Sequence, residues 1–153
     1  MNFTDLILEV PNTLPDDFCD ELIQRFEEDT ENQYQGVSGR GINREIKDSI
    51  DIFISGKENW VDADQRVFNY VKSGTDQYSE LFNSKVYPPE SEILDFICDE
   101  GYQIQRSSVD GHYTWHHDHN EMIIMDTIHN DDGIKSLRKS RVYTFIFYLN
   151  DSS

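Results

Sequence analysis

Apolar and polar positions change period several times along this chain, and each change marks an element. Over residues 15–28, Phe18, Leu22 and Phe26 recur every fourth position, the stripe of an amphipathic helix. Pro15 suits a first helical turn, and Asp16 and Asp17 sit near the positive end of the helix dipole. Residues 49–55 alternate instead, placing Ile50, Ile52 and Ile54 on one face of a half-buried strand. Helical spacing returns with Trp60, Ala63, Val67, Val71, Tyr78 and Phe82. Asn59 is a candidate cap, with Asp62 three residues on, and Gly74 weakens the helix without ending it. This spacing is what packing against a sheet requires, so these residues read as core and not as a cofactor box.

From Gly101 the period becomes two, and residues 102–106, 112–118 and 141–150 read as strands. A turn at 107–111 and a polar loop at 120–139 separate them. A strand at 3–10, ended by Pro11-Asn12, opens the chain, and the polar, Gly-rich residues 31–44 read as a loop. Pro88-Pro89 breaks the chain, and 91–98 fits a short helix or a strand equally. Helices first and strands afterwards predict an α+β domain, with helices on one side of a mostly antiparallel sheet. The helical part covers about 1–98 and the sheet about 99–153.

The length, 153 residues, suits one domain. Thirteen Lys and Arg against 30 Asp and Glu give a formal charge of −17, a surface that repels nucleic-acid phosphates and anionic lipid. The basic residues between Lys135 and Arg141 are too short and interrupted a run to offset it, so neither nucleic acid nor membrane is an expected partner. The N-terminus carries no basic leader, and no stretch approaches the ~18 apolar residues of a bilayer span, which predicts a cytoplasmic protein. Cys19 and Cys98 form no C-x-x-C and read as small buried apolar residues. Gly36, Gly39 and Gly41 form no G-x-G-x-x-G, so no nucleotide site follows.

Candidate chemistry concentrates in Gly111-His112-Tyr113-Thr114-Trp115-His116-His117-Asp118. On an extended strand His116 and Asp118 would point one way and His117 the other. An imidazole and a carboxylate so placed can occupy two neighbouring positions around a first-row divalent ion, and a third ligand would complete a two-His-one-carboxylate face. A competing reading uses the cluster His112, His116, His117 and His119 to hold Zn(II), Ni(II) or Cu(II) without turnover, in a metal-binding or interaction module. The Asp-rich loop fails as a calcium site: with Gly133 at the EF-hand glycine, Ile128 and Lys139 would stand where carboxylates are needed.

Three ordered motifs together carry a resemblance. Gly101-Tyr102-Gln103-Ile104-Gln105-Arg106, then Gly111-x-Tyr113-x-Trp115-His116-x-Asp118, then Arg141-x-x-Thr144-x-x-x-Tyr148-Leu149-Asn150-Asp151 resemble the catalytic domain of prolyl 4-hydroxylase-like Fe(II)/2-oxoglutarate dioxygenases. The resemblance covers residues 101–151 and implies a double-stranded β-helix, or jelly roll, with iron between its sheets. It implies His116 and Asp118 as iron ligands, Thr144 beside the 2-oxoglutarate, and Tyr113 and Trp115 bracing the sheet from the opposite face. It also implies O2 as co-reactant, ascorbate as reductant, and hydroxylation of an unactivated C–H bond in a peptide or small molecule, with peptidyl proline the family-weighted choice. Where many relatives carry a tyrosine that reaches the cosubstrate, this chain has Ser107. Relatives carry a second His and a Lys or Arg downstream of the Tyr-Leu-Asn strand, whereas this sequence runs to Ser153 and its His129 comes too early. The strand at 141–150 is apolar on both faces, the pattern of a strand covered on both sides. The reading is therefore an incomplete jelly roll, the N-terminal part of a longer enzyme, with little activity by itself.

Overall fold

The computed structural model describes residues 7–83, 99–118, 121–130, 133–140 and 143–150. It is an α+β structure whose strands pair antiparallel. Two compact units are distinguished, Met1–Tyr113 with Tyr148–Ser153, and Thr114–Phe147. Among the described residues no helix is long and apolar enough to cross a membrane.

In the first unit, helix α1 spans Asp16–Glu28 and buries Phe18, Cys19, Leu22 and Phe26. Extended Pro15 ends the preceding chain, and its carbonyl accepts from the Phe18 and Cys19 amides at 3.0 and 3.1 Å. Helix α2, Val61–Asn83, follows a 3-10 turn at Glu58–Trp60 and runs through Gly74. Trp60, Ala63 and Val67 are buried as the spacing predicts, while Val71 and Tyr78 are half-buried. Phe18 stacks on Tyr70 with centroids 6.2 Å apart, and Arg66 lies 3.6 Å over the Phe18 ring while pairing with Glu21 at 2.7 Å.

The N-terminal end of α2 is tied to the C-terminal end of α1 through Asp29. Its carboxylate accepts from the Trp60 indole N–H at 2.6 Å, and from Asn59 and Asn32 side-chain amides. Asn59 therefore serves this junction and does not act as the cap its sequence position suggests. A carboxylate near a helix C-terminus is unfavourable in the dipole's field, and these donors compensate it. Beside it, Arg25 grips Asp62 with two N–H groups at 2.8 and 3.0 Å and lies 4.6 Å over the Trp60 ring.

The sheet of this unit has the order β1-β4-β5, with β1 Tyr34–Gln35, β4 Ser49–Phe53 and β5 Gln103–Ser107. Ile52 faces Ile104 and Ile50 faces Arg106 across β4 and β5. Arg106 reaches Glu27 and lies over the Phe26 ring, so α1 covers the isoleucine face, as an α+β arrangement requires. The opposite face of β4, which the alternation assigns to solvent, is buried as well: Ser49 is 5% and Asp51 1% exposed. Asp51 pairs with buried Lys47 at 2.6 Å and accepts from the Ser49 hydroxyl at 2.7 Å.

Several sequence expectations are corrected. Residues 31–44 carry β1 and the small hairpin β2 (Val37–Ser38) with β3 (Gly41–Ile42), whose turn uses Gly41 at φ 86°. Residues 120–139, expected as a loop, contain strand β6 (Glu121–Asn130) paired with β7 (Gly133–Ser140). Residues 112–118 and 143–150, expected as strands, form none; Tyr113 alone bridges to Lys47. Residues 7–10 are exposed and outside any strand, and 3–6 and 91–98 lie outside the described residues. The common cause is that a strand exists only where a neighbouring backbone takes its N–H and C=O groups, which alternation along one segment does not specify. Of the residues there that are apolar on both sides of the expected strand, Ile146 and Tyr148 are 68% and 84% exposed.

The junction at Asp29 gives a stability prediction. Burial by itself pushes the Asp29 carboxyl up, but the hydrogen bonds from Trp60, Asn32 and Asn59 outweigh it and hold the group below the usual carboxylate range. A depressed folded-state value means the contribution is present at neutral pH and lost as pH falls through that value. Asp29→Ala, which strands the buried indole N–H, is expected to cost about 1.5–3 kcal/mol at neutral pH. In urea unfolding followed from about pH 5 to 2, its loss of stability with acid should be shallower than the wild type's. Parallel acid limbs would contradict this account.

Candidate metal centre

β5 ends at Ser107 and the chain reverses at once, the Gly111 amide donating to the Ser108 carbonyl at 2.8 Å. An added Cβ at Gly111 would meet the Asp48 carbonyl and the Ser108 amide at 2.8 Å, so the turn needs glycine. Residues 111–113 then run beside 45–48. The Asp48 amide donates to the His112 carbonyl at 2.8 Å, Lys47 bridges Tyr113, and the His112 ring meets the Glu45 carbonyl at 3.0 Å. His112 is thus engaged within the first unit.

His116 and Asp118 belong to the second unit, on irregular chain that bends at Trp115. The His116 Nδ1 lies 2.9 Å from the Thr114 carbonyl, which can only accept, so this nitrogen carries the hydrogen. His116 Nε2 lies 3.3 Å from Asp118 Oδ1. The Thr144 hydroxyl donates to the other oxygen, Asp118 Oδ2, at 3.2 Å. The three residues singled out from the sequence therefore stand together, though not for the reason alternation gives: a local bend brings His116 and Asp118 together, with no regular strand involved. Their side chains are 39% and 36% exposed.

The donor chemistry fits a cation. A neutral imidazole with hydrogen on Nδ1 turns a lone pair toward a carboxylate oxygen, and two acceptors repel unless a positive charge lies between them. That charge is a proton, giving a surface ion pair, or a metal ion. Two ligand atoms bound about 2.1 Å from one ion lie about 3.0 Å apart at a right angle and about 3.4 Å apart at the tetrahedral angle. The observed 3.3 Å separation falls between them. An imidazole whose second nitrogen donates to a backbone carbonyl is also the usual arrangement at bound metals.

Other expectations fare differently. Among the described residues no group of three or more His, Cys, Asp or Glu is placed to hold a metal. His117 is exposed, and His119 lies outside the described residues. His129 falls on β6. Trp115 is fully exposed and braces nothing, whereas Tyr113 covers the Lys47 ammonium at 5.2 Å. Ser107 pairs with Ser49 in the sheet. A separate cavity of about 450 Å³ in the first unit is lined in part by Ser55, Asp64, Phe68, Asp99 and Tyr102. Burial pushes its Tyr102 phenol up, reinforced by the hydrogen bond to Asp99.

The buried Lys47–Asp51 pair beside the motif was missed from sequence. The signal was present in Lys47, Ser49 and Asp51 at alternate positions, a polar row with opposite charges at its ends.

No family model, curated protein or solved structure matches the chain.

Neutral His116 is expected to carry its hydrogen on Nδ1. Long-range proton–nitrogen correlation spectra in mildly alkaline solution read this directly, and hydrogen on Nε2 would overturn the assignment. Thr144→Val should leave that tautomer unchanged while freeing Asp118 Oδ2.

Proposed function

We propose that this chain carries the ligand-bearing part of an Fe(II)- and 2-oxoglutarate-dependent dioxygenase, with His116 and Asp118 as metal ligands and Thr144 near the cosubstrate. The observation that supports it is the facing of His116 Nε2 and Asp118 Oδ1 at 3.3 Å, with Nδ1 held by the Thr114 carbonyl. The finer fold proposed is a double-stranded β-helix to which the sheet β1-β4-β5 contributes. A reducing cytoplasm, which keeps iron ferrous, is the compartment this chemistry suits.

Bound iron with 2-oxoglutarate supplies activation of O2 for hydroxylation of a C–H bond, releasing succinate and CO2. The chain's own residues do three things. The Thr114 carbonyl fixes the imidazole tautomer, so a lone pair and not a hydrogen is offered at Nε2. Asp118 supplies negative charge that offsets the cation. Thr144 occupies Oδ2, which leaves Oδ1 as the oxygen presented toward His116. The substrate is a peptide or small molecule with an unactivated C–H bond; no residue here selects proline over another.

Two protein donors hold an ion less tightly than three, so this chain is expected to bind Fe(II) weakly and to turn over little. Weak binding should fall at least about tenfold in His116→Ala and in Asp118→Ala, the scale on which even outer-shell losses weaken metal sites. His117→Ala should match the wild type. Calorimetric titration with Fe(II) under anaerobic conditions and 2-oxoglutarate-dependent succinate release are the measurements. Equal binding in all four proteins would dispose of the site. Tight Zn(II) binding that survives Asp118→Ala, with no succinate, would favour the non-catalytic histidine-cluster module.

A further inference from the structure

Within the unit Thr114–Phe147, β6 and β7 form a two-stranded sheet that no other described strand joins. A lone ribbon of this kind is marginal in water, and a third strand or a covered face is what completes it. Cross-strand partners share a face, so the register assigns residues to the two sides. Met122 stands opposite Lys139, Ile124 opposite Leu137 and Ile128 opposite Lys135, which puts Met122, Ile124, Ile128 and Leu137 on one face with Lys135 and Lys139. β7 holds Lys135, Arg138 and Lys139 with no acidic residue, in a chain whose formal charge is −17. Its outer edge is also the more regular one. β6 is irregular between Ile124 and Ile128, which breaks the even row of backbone groups an added strand needs, whereas β7 contains no proline and keeps its N–H groups. The ribbon's base adjoins the candidate donors. Glu121 pairs with Ser140 there, and Thr144, whose hydroxyl donates to Asp118, follows Ser140 by a span of at most about 14 Å.

We propose that β7 is a recognition strand for an acidic peptide, which adds along its outer edge in extended form and is the substrate class of the metal pair. An added strand exchanges backbone hydrogen bonds with β7 and lays alternate side chains over the face that holds Lys135, Leu137 and Lys139. The complement is a peptide with carboxylates four residues apart around an apolar one. Each carboxylate then falls opposite a lysine, and the residue between them falls opposite Leu137. Lysine on an open edge also keeps two such ribbons from pairing with each other, so the charges that exclude a like strand admit an acidic one. Three cations are too few to hold a nucleic acid against the charge of this chain, and a phosphodiester offers no donor to the edge carbonyls. The substrate role rests on the metal reading of His116 and Asp118, whereas the docking of the peptide does not.

The probe is a fluorescent peptide of about ten residues with Glu-x-Leu-x-Glu at its centre, beside versions carrying Gln or Lys in place of Glu. Each is titrated against the full chain at low salt and followed by anisotropy. The Glu peptide is expected to bind about three- to tenfold more tightly than the Gln peptide, a difference that shrinks as salt is raised. Lys135→Glu/Lys139→Glu should reverse the order and prefer the Lys peptide, a gain that a misfolded ribbon would not give. Arg138→Gln, on the opposite face, should keep the wild-type order. No binding, equal binding of the Glu and Gln peptides, or an unreversed order in the charge-swapped variant overturns the proposal. So does tighter binding of an oligonucleotide, or a dimer in sedimentation that the charge swap disperses, since the occupant would then be a phosphate chain or a second copy. Failure to bind Fe(II) with peptide selectivity intact removes the metal reading and the substrate role with it. Fe(II) binding without peptide selectivity removes the recognition strand alone.

Discussion

An ammonium and a carboxylate held 2.6 Å apart with almost no water around them are the constraint on which the first unit turns. Each is costly to bury alone, and breaking such a pair by removing one partner typically costs about 3–5 kcal/mol, a large share of a domain's total stability. The cost fixes geometry. Lys47 must stay over Asp51, Ser49 must present its hydroxyl inward, and Gly36 must remain a glycine because a Cβ there would fall 2.3 Å from Ser49 Oγ. The sheet β1-β4-β5 thus has two buried faces with opposite chemistries. Isoleucines lie toward α1, and a closed polar cluster lies on the other side, beside Tyr113.

The candidate metal pair is built on the opposite principle. His116 and Asp118 are over a third exposed, and their approach is set by local bonds, one to the Thr114 carbonyl and one from the Thr144 hydroxyl. Coulomb attraction at such exposure is heavily screened, so an ion pair by itself would contribute little. What distinguishes the pair is direction. The carbonyl consumes the imidazole hydrogen on the side away from Asp118, which leaves two acceptors facing one another, and that is a poor arrangement for anything except a cation.

How far the sequence revealed this depends on how local each feature is. The stripe of Phe18, Leu22 and Phe26 predicts α1 to within one residue because a helix satisfies its backbone within itself. β4 and β5 were legible because each finds the other. The pairing of β6 with β7 was not, although Ile123 and Ile124 are strand formers and Asn130 pairs with Gly133. There the polar, Asp-rich composition reads as a loop and hides the strands on either side. The same lesson applies in reverse at 112–118, where alternation suggested a strand that no neighbouring backbone completes. His116, Asp118 and Thr144, named from ordered motifs, nonetheless stand together, because residue identity carries information that survives an error in secondary structure. Lys47 and Asp51 were not found, because a charged row opposite isoleucines looks like a solvated face until the tertiary structure closes over it.

The exposure of the pair also bears on what it can do. The oxidative chemistry proposed for it would demand a site from which bulk water is excluded, both to strengthen electrostatic interactions and to prevent side reactions. The residues flanking Thr144 are suited to such a wall: Phe145 and Ile146 are apolar, yet 37% and 68% exposed. Trp115, immediately before His116, is fully exposed as well. Scattered exposed apolar side chains need no explanation by themselves, and of these three Trp115 alone is a direct neighbour in sequence of His116 or Asp118. Burial of Trp115 beside the pair would lower the local dielectric and strengthen the attraction of the Asp118 carboxylate for any positive charge, a proton on His116 included.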